Sequence, residues 1–252
     1  MRPPRLHPAT RGFAAAADVY ERGRPDYPAA AIARIVSRLE LRPGRTALDL
    51  AAGTGKLTRL LVRSGANLIA LEPVREMRSE LETQVPGVVT LAGTAERIPL
   101  ADGSVDAVTV GQAFHWFEGN EALREIHRVL RPRGGVALIW NARDERHPLQ
   151  AALSEIIDPL EGDTPRRKQR DWKTLLDESG LFERSERSLF DHVQPVDEQG
   201  LVERMLSISF IATAPEAVRA DIEARVRALA HQAEDPLSLP YMTELYIGSA
   251  RA

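Results

Sequence analysis

Residues 28–141 predict an α/β protein, a Rossmann-like doubly wound sheet of parallel strands, on three observations. Short apolar runs alternate with helical patterns along this stretch, which is how strands joined by crossover helices read in sequence. The first apolar run ends in a glycine-containing loop that opens directly into a helical pattern. Later runs end in acidic or small residues. A row of polar loops therefore falls at the carboxyl edge of the sheet, where open α/β folds bind ligands.

The elements follow in order. A helix is expected over Ala29–Leu39, then a strand carrying Ala47, Leu48 and Leu50, which ends in Ala51-Ala52-Gly53-Thr54-Gly55. Leu57, Leu60 and Leu61 share one face of a helix over Lys56–Ser64. The strand Leu68–Leu71 ends in Glu72-Pro73 and precedes a helix over Val74–Gln84. The strand Val88–Leu91 leads into Gly93-Thr94-Ala95-Glu96, and Ser104–Val110 into Gly111-Gln112-Ala113-Phe114-His115-Trp116. A helix over Asn120–Leu130 stops at Pro132-Arg133-Gly134-Gly135, a turn feeding the strand Val136–Trp140. Beyond Asn141 the pattern loosens. Helices are expected at Pro148–Leu160, Trp172–Ser179, Glu198–Ile211 and Pro215–Ala230, with strands at Glu186–Val193 and Tyr241–Ile247. Residues 1–252 thus read as one domain. Its nucleoside-binding half is 29–142, its completing half is 143–252, and a helical insertion lies near 194–237.

Composition narrows the function. Net charge is −3, so no global field draws the chain to nucleic acid or to an anionic membrane. With no cysteine there is no disulfide, thiolate nucleophile or cysteine metal site. The basic start (Arg2, Arg5, Arg11) lacks an apolar core, because Asp18 interrupts Ala14–Ala17, and no apolar run is long enough to span a membrane. A cytoplasmic protein is expected, as a monomer or homodimer. The six histidines show no short metal-ligand spacing, so no metal is expected.

Spacing decides what the first loop binds. A phosphate-binding loop needs Gly, four residues, then Gly-Lys-Ser/Thr, but Leu57 follows Gly55-Lys56 and Leu50 stands where the first glycine belongs. The dinucleotide fingerprint would use Gly53 and Gly55 but finds Thr58 in place of its third glycine. The pattern D-x-[GA]-x-G-x-G fits, through Asp49, Ala51, Gly53 and Gly55. Asp49 is out of place in an apolar strand unless it is hydrogen-bonded to the loop or to a cation. Glu72 lies 23 residues after Asp49, at the end of the second strand, where an acid can accept both ribose hydroxyls of a nucleoside.

The pattern through Asp49 and Gly55 resembles motif I of the class I methyltransferases that use S-adenosyl-L-methionine, within their small-molecule type 11 group. Tyr20, Arg24-Pro25 and Tyr27-Pro28 resemble that group's Y-x-x-x-R-P-x-Y-P opening, Ala113–Phe117 its A-x-H-W-F stretch, and Pro240–Tyr246 its closing P-Y-x-T-x-x-Y. The branch containing trans-aconitate methyltransferase-like proteins is the most similar. The resemblance implies a seven-stranded, mostly parallel sheet with its last strand antiparallel. It also implies a cofactor site of Tyr20, Arg24, Asp49, Ala51, Gly53, Thr54, Gly55, Glu72, Pro73, Met77, Thr94, Ala95, Glu96, Gln112 and Ala113. Arg24, with Tyr20, would hold the methionine carboxylate as a planar fork, and the backbone near Ala51 and Gln112 would meet the ammonium. S-adenosyl-L-homocysteine would be the product.

The acceptor pocket is expected to involve Phe13, Phe114, His115 and Trp116. His115 would serve as general base for a hydroxyl or amine acceptor, or would only wall the pocket; a carboxylate acceptor needs no base. Two other functions share these features. One is a protein that binds S-adenosyl-L-methionine without turnover, as a regulatory or partner subunit. The other is a nicotinamide oxidoreductase, for which the third glycine and a Tyr-x-x-x-Lys pair are missing. The basic cluster Arg166, Arg167, Lys168, Arg170 and Lys173 reads as a solvated helix start or a contact for an anionic substrate.

Overall fold

A computed structural model describes residues 23–162, 164, 172–234 and 236–251. Helices α1 (Ala29–Arg38), α2 (Lys56–Leu61), α3 (Arg75–Gln84) and α4 (Gly119–Val129) alternate with strands β1 (Thr46–Leu50), β2 (Asn67–Leu71), β3 (Val89–Leu91), β4 (Val105–Gly111) and β5 (Leu130–Arg143). There follow α5 (Pro148–Ile157), α6 (Trp172–Glu178), β6 (Glu186–Pro195), α7 (Glu198–Leu206), α8 (Ser209–Ala212), α9 (Glu216–Gln232) and β7 (Ser238–Ser249). The strands form one seven-stranded sheet in the order β3-β2-β1-β4-β5-β7-β6. Pairing from β3 through β5 is parallel. β7 runs against β5: Ala250 N–H donates to Gly134 O (2.8 Å) at one end and Asp144 N–H to Pro240 O (3.2 Å) at the other.

The chain divides into two compact units. The sheet unit comprises residues 27–140, 172–190 and 243–251 of the described chain. Its strands are apolar on both faces because helices cover both. Alternate residues serve opposite sides: Leu48, Leu50, Val108, Val110, Leu138 and Trp140 pack in one core cluster, and Ala47, Ala107, Ala137 and Ile139 in another. α4 belongs to the first, burying Ala122, Leu123, Ile126 and Val129 at helical spacing. A charged clasp fastens the approach to this helix. Arg128 binds Glu125, Asp102 and the carbonyls of Ile98 and Leu100, while Glu125 accepts from Ile98 N–H. Asp106 ties β4 to the start of β1 by accepting from Thr46 N–H (2.8 Å) and pairing with Arg131 and Arg45. Burial works against its charge, but these donors prevail and hold the carboxyl below its usual range.

The helical unit comprises residues 23–26, 141–164 and 191–242, with a separate core of Leu153, Ile157, Leu201, Met205, Ile211, Ile222 and Val226 from α5, α7, α8 and α9. No helix among the described residues is long and apolar enough to cross a membrane.

Several boundaries differ from expectation, and three of them have a cause visible in the structure. The strand expected at Val136 begins at Leu130, since the Pro132–Gly135 turn is absorbed as a bulge: Val105 pairs with Leu130 but Ala107 with Gly135, and Arg133 takes φ +65°. The helix expected over Glu198–Ile211 breaks after Leu206. There the Ser207 hydroxyl bonds the Arg204 carbonyl (2.8 Å) and Ile208 turns extended. The helix expected to reach Ser64 tightens into a 3₁₀ turn at Val62–Ser64 before Gly65.

Leu48, fully buried in β1 between β2 and β4, tests the core. Leu48→Ala should lower stability by about 2–5 kcal/mol, read from chemical denaturation.

Candidate functional site

The site grows from the end of β1. Past Leu50 the chain enters the left-handed region at Ala51 (φ +55°) and again at Gly53 (+60°) and Gly55 (+88°), from which α2 departs. Glycine meets this need at no steric cost; Ala51 does not, and holds a strained conformation. On β4, paired in parallel with β1, Gln112 is likewise left-handed just beyond the strand end (φ +58°). Two strained non-glycine residues thus follow adjacent strands at the carboxyl edge, where strain tends to be stored for function.

Asp49 secures this loop from below. It is buried, its Oδ2 accepting from Thr58 Oγ1 (2.6 Å) and its Oδ1 from Thr109 Oγ1 (3.1 Å). The acid out of place in the sequence is therefore a clasp joining β1, α2 and β4. Thr58 and Thr109 were not singled out from sequence. Thr109 was legible in principle, because it stands beside Asp49 in the parallel register.

Glu72 joins the first two loops. Its Oε2 accepts from Gly53 N–H (2.9 Å) and its Oε1 from Val74 N–H (2.9 Å), the residue that caps α3. Arg78 bonds the Glu72 carbonyl (2.7 Å). Burial pushes the Asp49 carboxyl up to about 6, against its two hydroxyl donors. Burial also pushes Glu72 up to about 7, aided by the Asp49 charge and opposed by the Val74 and Gly53 amides and by Arg78.

The other expected residues are distributed as follows. Met77 is buried beneath the loop, its Cε 3.5 Å from where a Gly53 β-carbon would stand. Thr54 is buried, and Pro73 and Ala113 are half-buried. Ala95 is buried; Thr94 carries a hydroxyl that is sealed from solvent and lacks a partner. Glu96, expected in the cofactor site, accepts on Oε1 from the N–H of Glu118 (3.0 Å), the residue that precedes α4. Arg24 lies in the helical unit, where its Nη2 donates to Ser207 O (3.3 Å) just past α7, a favourable place for a cation. Tyr20 and Phe13 lie outside the described residues, as do Arg166, Arg167, Lys168 and Arg170. Lys173 pairs with Asp177 (2.6 Å) one helical turn on.

The aromatic stretch after β4 divides. Phe114, expected on the pocket wall, is fully buried and packs edge-on against Phe117 and Trp172 (5.4 and 5.5 Å), so it belongs to the core. His115 and Trp116 are half-buried, with ring centroids 5.2 Å apart. Trp140 donates its indole N–H to His115 Nδ1 (3.4 Å), which leaves the proton of the neutral imidazole on Nε2.

Residues 48–138, which carry Asp49, Glu72 and the loops at the ends of β1, β2 and β4, match the model of the methyltransferase domain family. An uncharacterized methyltransferase of Mycobacterium tuberculosis is 42% identical over 236 residues, 92% of either chain. The chain belongs to the methyltransferases. Its fold is shared with solved members. A putative methyltransferase from an antibiotic biosynthesis pathway of Anabaena variabilis is 22% identical, with a TM-score of 0.64 over 89% of this chain and 98% of its own. Haemonchus contortus phosphoethanolamine N-methyltransferase 2, solved with phosphomonomethylethanolamine and S-adenosylhomocysteine, is 14% identical with a TM-score of 0.57, covering 97% of this chain and 58% of its own.

Two measurements test the carboxyl edge of this methyltransferase. Ala51→Gly should raise stability by about 0.5–1 kcal/mol in denaturant titration, because relief of the left-handed strain outweighs the entropy of the added glycine. The raised carboxyls also set a pH dependence. Between about 4 and 7 the folded state keeps protons that the unfolded chain has released, so their contribution to stability is lost as pH rises through that window. Thermal unfolding at pH 5 and pH 8 should show a smaller loss in Glu72→Gln than in the unsubstituted protein.

Proposed function

We propose that this methyltransferase moves the methyl group of S-adenosyl-L-methionine to a small-molecule acceptor, at oxygen, nitrogen or a carboxylate. The observation that carries the reading is the Glu72 carboxylate bound to Gly53 N–H beside the strained loop ends Ala51 and Gln112. The residues present fit the cofactor. Gly53 offers bare backbone, the carboxylate oxygens of Glu72 each keep a lone pair for a ribose hydroxyl, and the unpartnered Thr94 hydroxyl is a polar contact in reserve.

When bound, the cofactor supplies a sulfonium-activated methyl group. What falls to the protein is alignment and exclusion of water, and positioning alone can be worth about 7–11 kcal/mol of barrier. Asp49 holds the loop through Thr58 and Thr109; Glu72 would hold the sugar, and the backbone at the left-handed turns of Ala51 and Gln112 would meet the ammonium. His115 acts as a wall and Nε2–H donor, because a ring whose Nδ1 accepts from Trp140 has no lone pair free to take a proton in its neutral state.

Calorimetric titration with S-adenosyl-L-methionine tests the cofactor. Ionised Glu72 is the stronger acceptor, so binding should tighten as pH rises toward and through about 7, by at most about tenfold per pH unit. The dependence should flatten in Glu72→Gln, and a pH-independent affinity in the unsubstituted protein would move the ribose elsewhere. For His115→Ala, turnover measured with labelled cofactor should fall by less than about tenfold at unchanged cofactor affinity, against the ~10²–10⁴-fold loss expected of a general base.

A further inference from the structure

The helical unit contains a buried cation. Arg204, on α7, is only 5% exposed, and among the described residues no carboxylate pairs with it. Its Nε donates to Tyr241 Oη on β7 (3.1 Å), and its guanidinium carbon lies 6.0 Å from that ring's centroid. Its Nη1 is sealed from solvent and has no acceptor. Charged side chains this buried are ordinarily paired, and an orphaned guanidinium nitrogen is a costly arrangement for the fold to keep.

The surroundings are polar and shared by neighbouring strands. Tyr241 Oη lies 3.3 Å from Gln194 Oε1, and Gln194 Nε2 donates to Gly23 O (3.3 Å). His192, two residues before Gln194 on the same face of β6, stands 6.3 Å from the Tyr241 ring. One of its ring nitrogens donates to the Asp26 backbone, and its Nε2 is sealed and unpartnered. A second buried nitrogen in the same cluster therefore also lacks its hydrogen bond.

We infer that Arg204 is the anchor of an oxyanion site within the helical unit, one that takes the carboxylate or phosphate group of a small organic molecule on Nη1. The guanidinium is a planar fork that matches such groups, and a ligand oxygen would complete both its charge and its hydrogen bonds. The backbone of Gly23 lies against that of Arg204, close enough that a β-carbon on Gly23 would stand 2.9 Å from Arg204 Cα. Entry to the sealed nitrogen therefore requires local opening. That the anion is the charged end of the methyl acceptor rests on the function proposed above; the site itself does not, and is tested without any methyl donor.

Calorimetric titrations with succinate and, separately, with inorganic phosphate provide the test. One of the two should bind the unsubstituted protein at a single site, and the better probe tells carboxylate from phosphate. Arg204→Gln should weaken that binding by about tenfold or more, and Arg204→Lys, which keeps the charge but loses the fork, by less. A crystal soaked with the better probe should show it on Nη1, a readout that holds even if Arg204→Gln does not fold. Absence of binding by both probes, unchanged binding in Arg204→Gln, or a soaked crystal with the probe elsewhere would each overturn the site.

Discussion

The carboxyl edge of the sheet depends on one buried carboxylate. Among the described residues no cation pairs with Asp49; it is held by two hydroxyls, one from the helix that follows its own loop and one from the neighbouring strand, and by the Thr58 backbone. Burial alone would drive it to neutrality, and the two donors are what make a charged or half-charged acid tolerable there. Because Thr58 and Thr109 come from α2 and β4, the same interaction that satisfies the acid also sets the distance between the loop and the adjacent strand end. Glu72 then repeats the device one strand further out, with backbone amides as its donors.

This arrangement explains why the strain sits where it does. Ala51 and Gln112 are left-handed without being glycine, and each is fixed by hydrogen bonding around it. Ala52 N–H reaches Leu71 O, and Gln112 N–H reaches Ile139 O. Gly111, beside Gln112, has no room for a side chain, since a β-carbon would stand 2.7 Å from the Tyr27 hydroxyl. The backbone is thus over-determined at the points where the proposed cofactor would touch it, which is pre-organisation in the sense that matters for transfer chemistry.

Much of this was legible in the sequence, for reasons that can be named. The alternation of apolar runs and helical patterns made the sheet's first five strands readable, because burial on both faces leaves such strands predominantly apolar. The loop residues were legible because few side chains tolerate φ > 0 or a close backbone approach. What escaped were features that depend on partners distant in the chain. Pro132–Gly135 reads as a turn, and only pairing with β4 makes it a bulge. Phe114 reads equally as wall or core until Phe117 and Trp172 are seen against it. The bond between Glu96 and Glu118 N–H joins residues 22 apart, with no local signal of its own. Arg204, in an unremarkable amphipathic helix, gives no local sign that among the described residues no carboxylate pairs with it.

The aromatic cluster has a practical consequence. The chain has three tryptophans, and all stand together: Trp116 against His115, Trp140 bonded to that imidazole, and Trp172 stacked on Trp140 at 5.5 Å. Intrinsic emission from this protein is accordingly a signal from one neighbourhood rather than an average over the molecule. An imidazolium is an efficient quencher of indole light, so any change in the charge or contacts of that ring is broadcast optically, without a label.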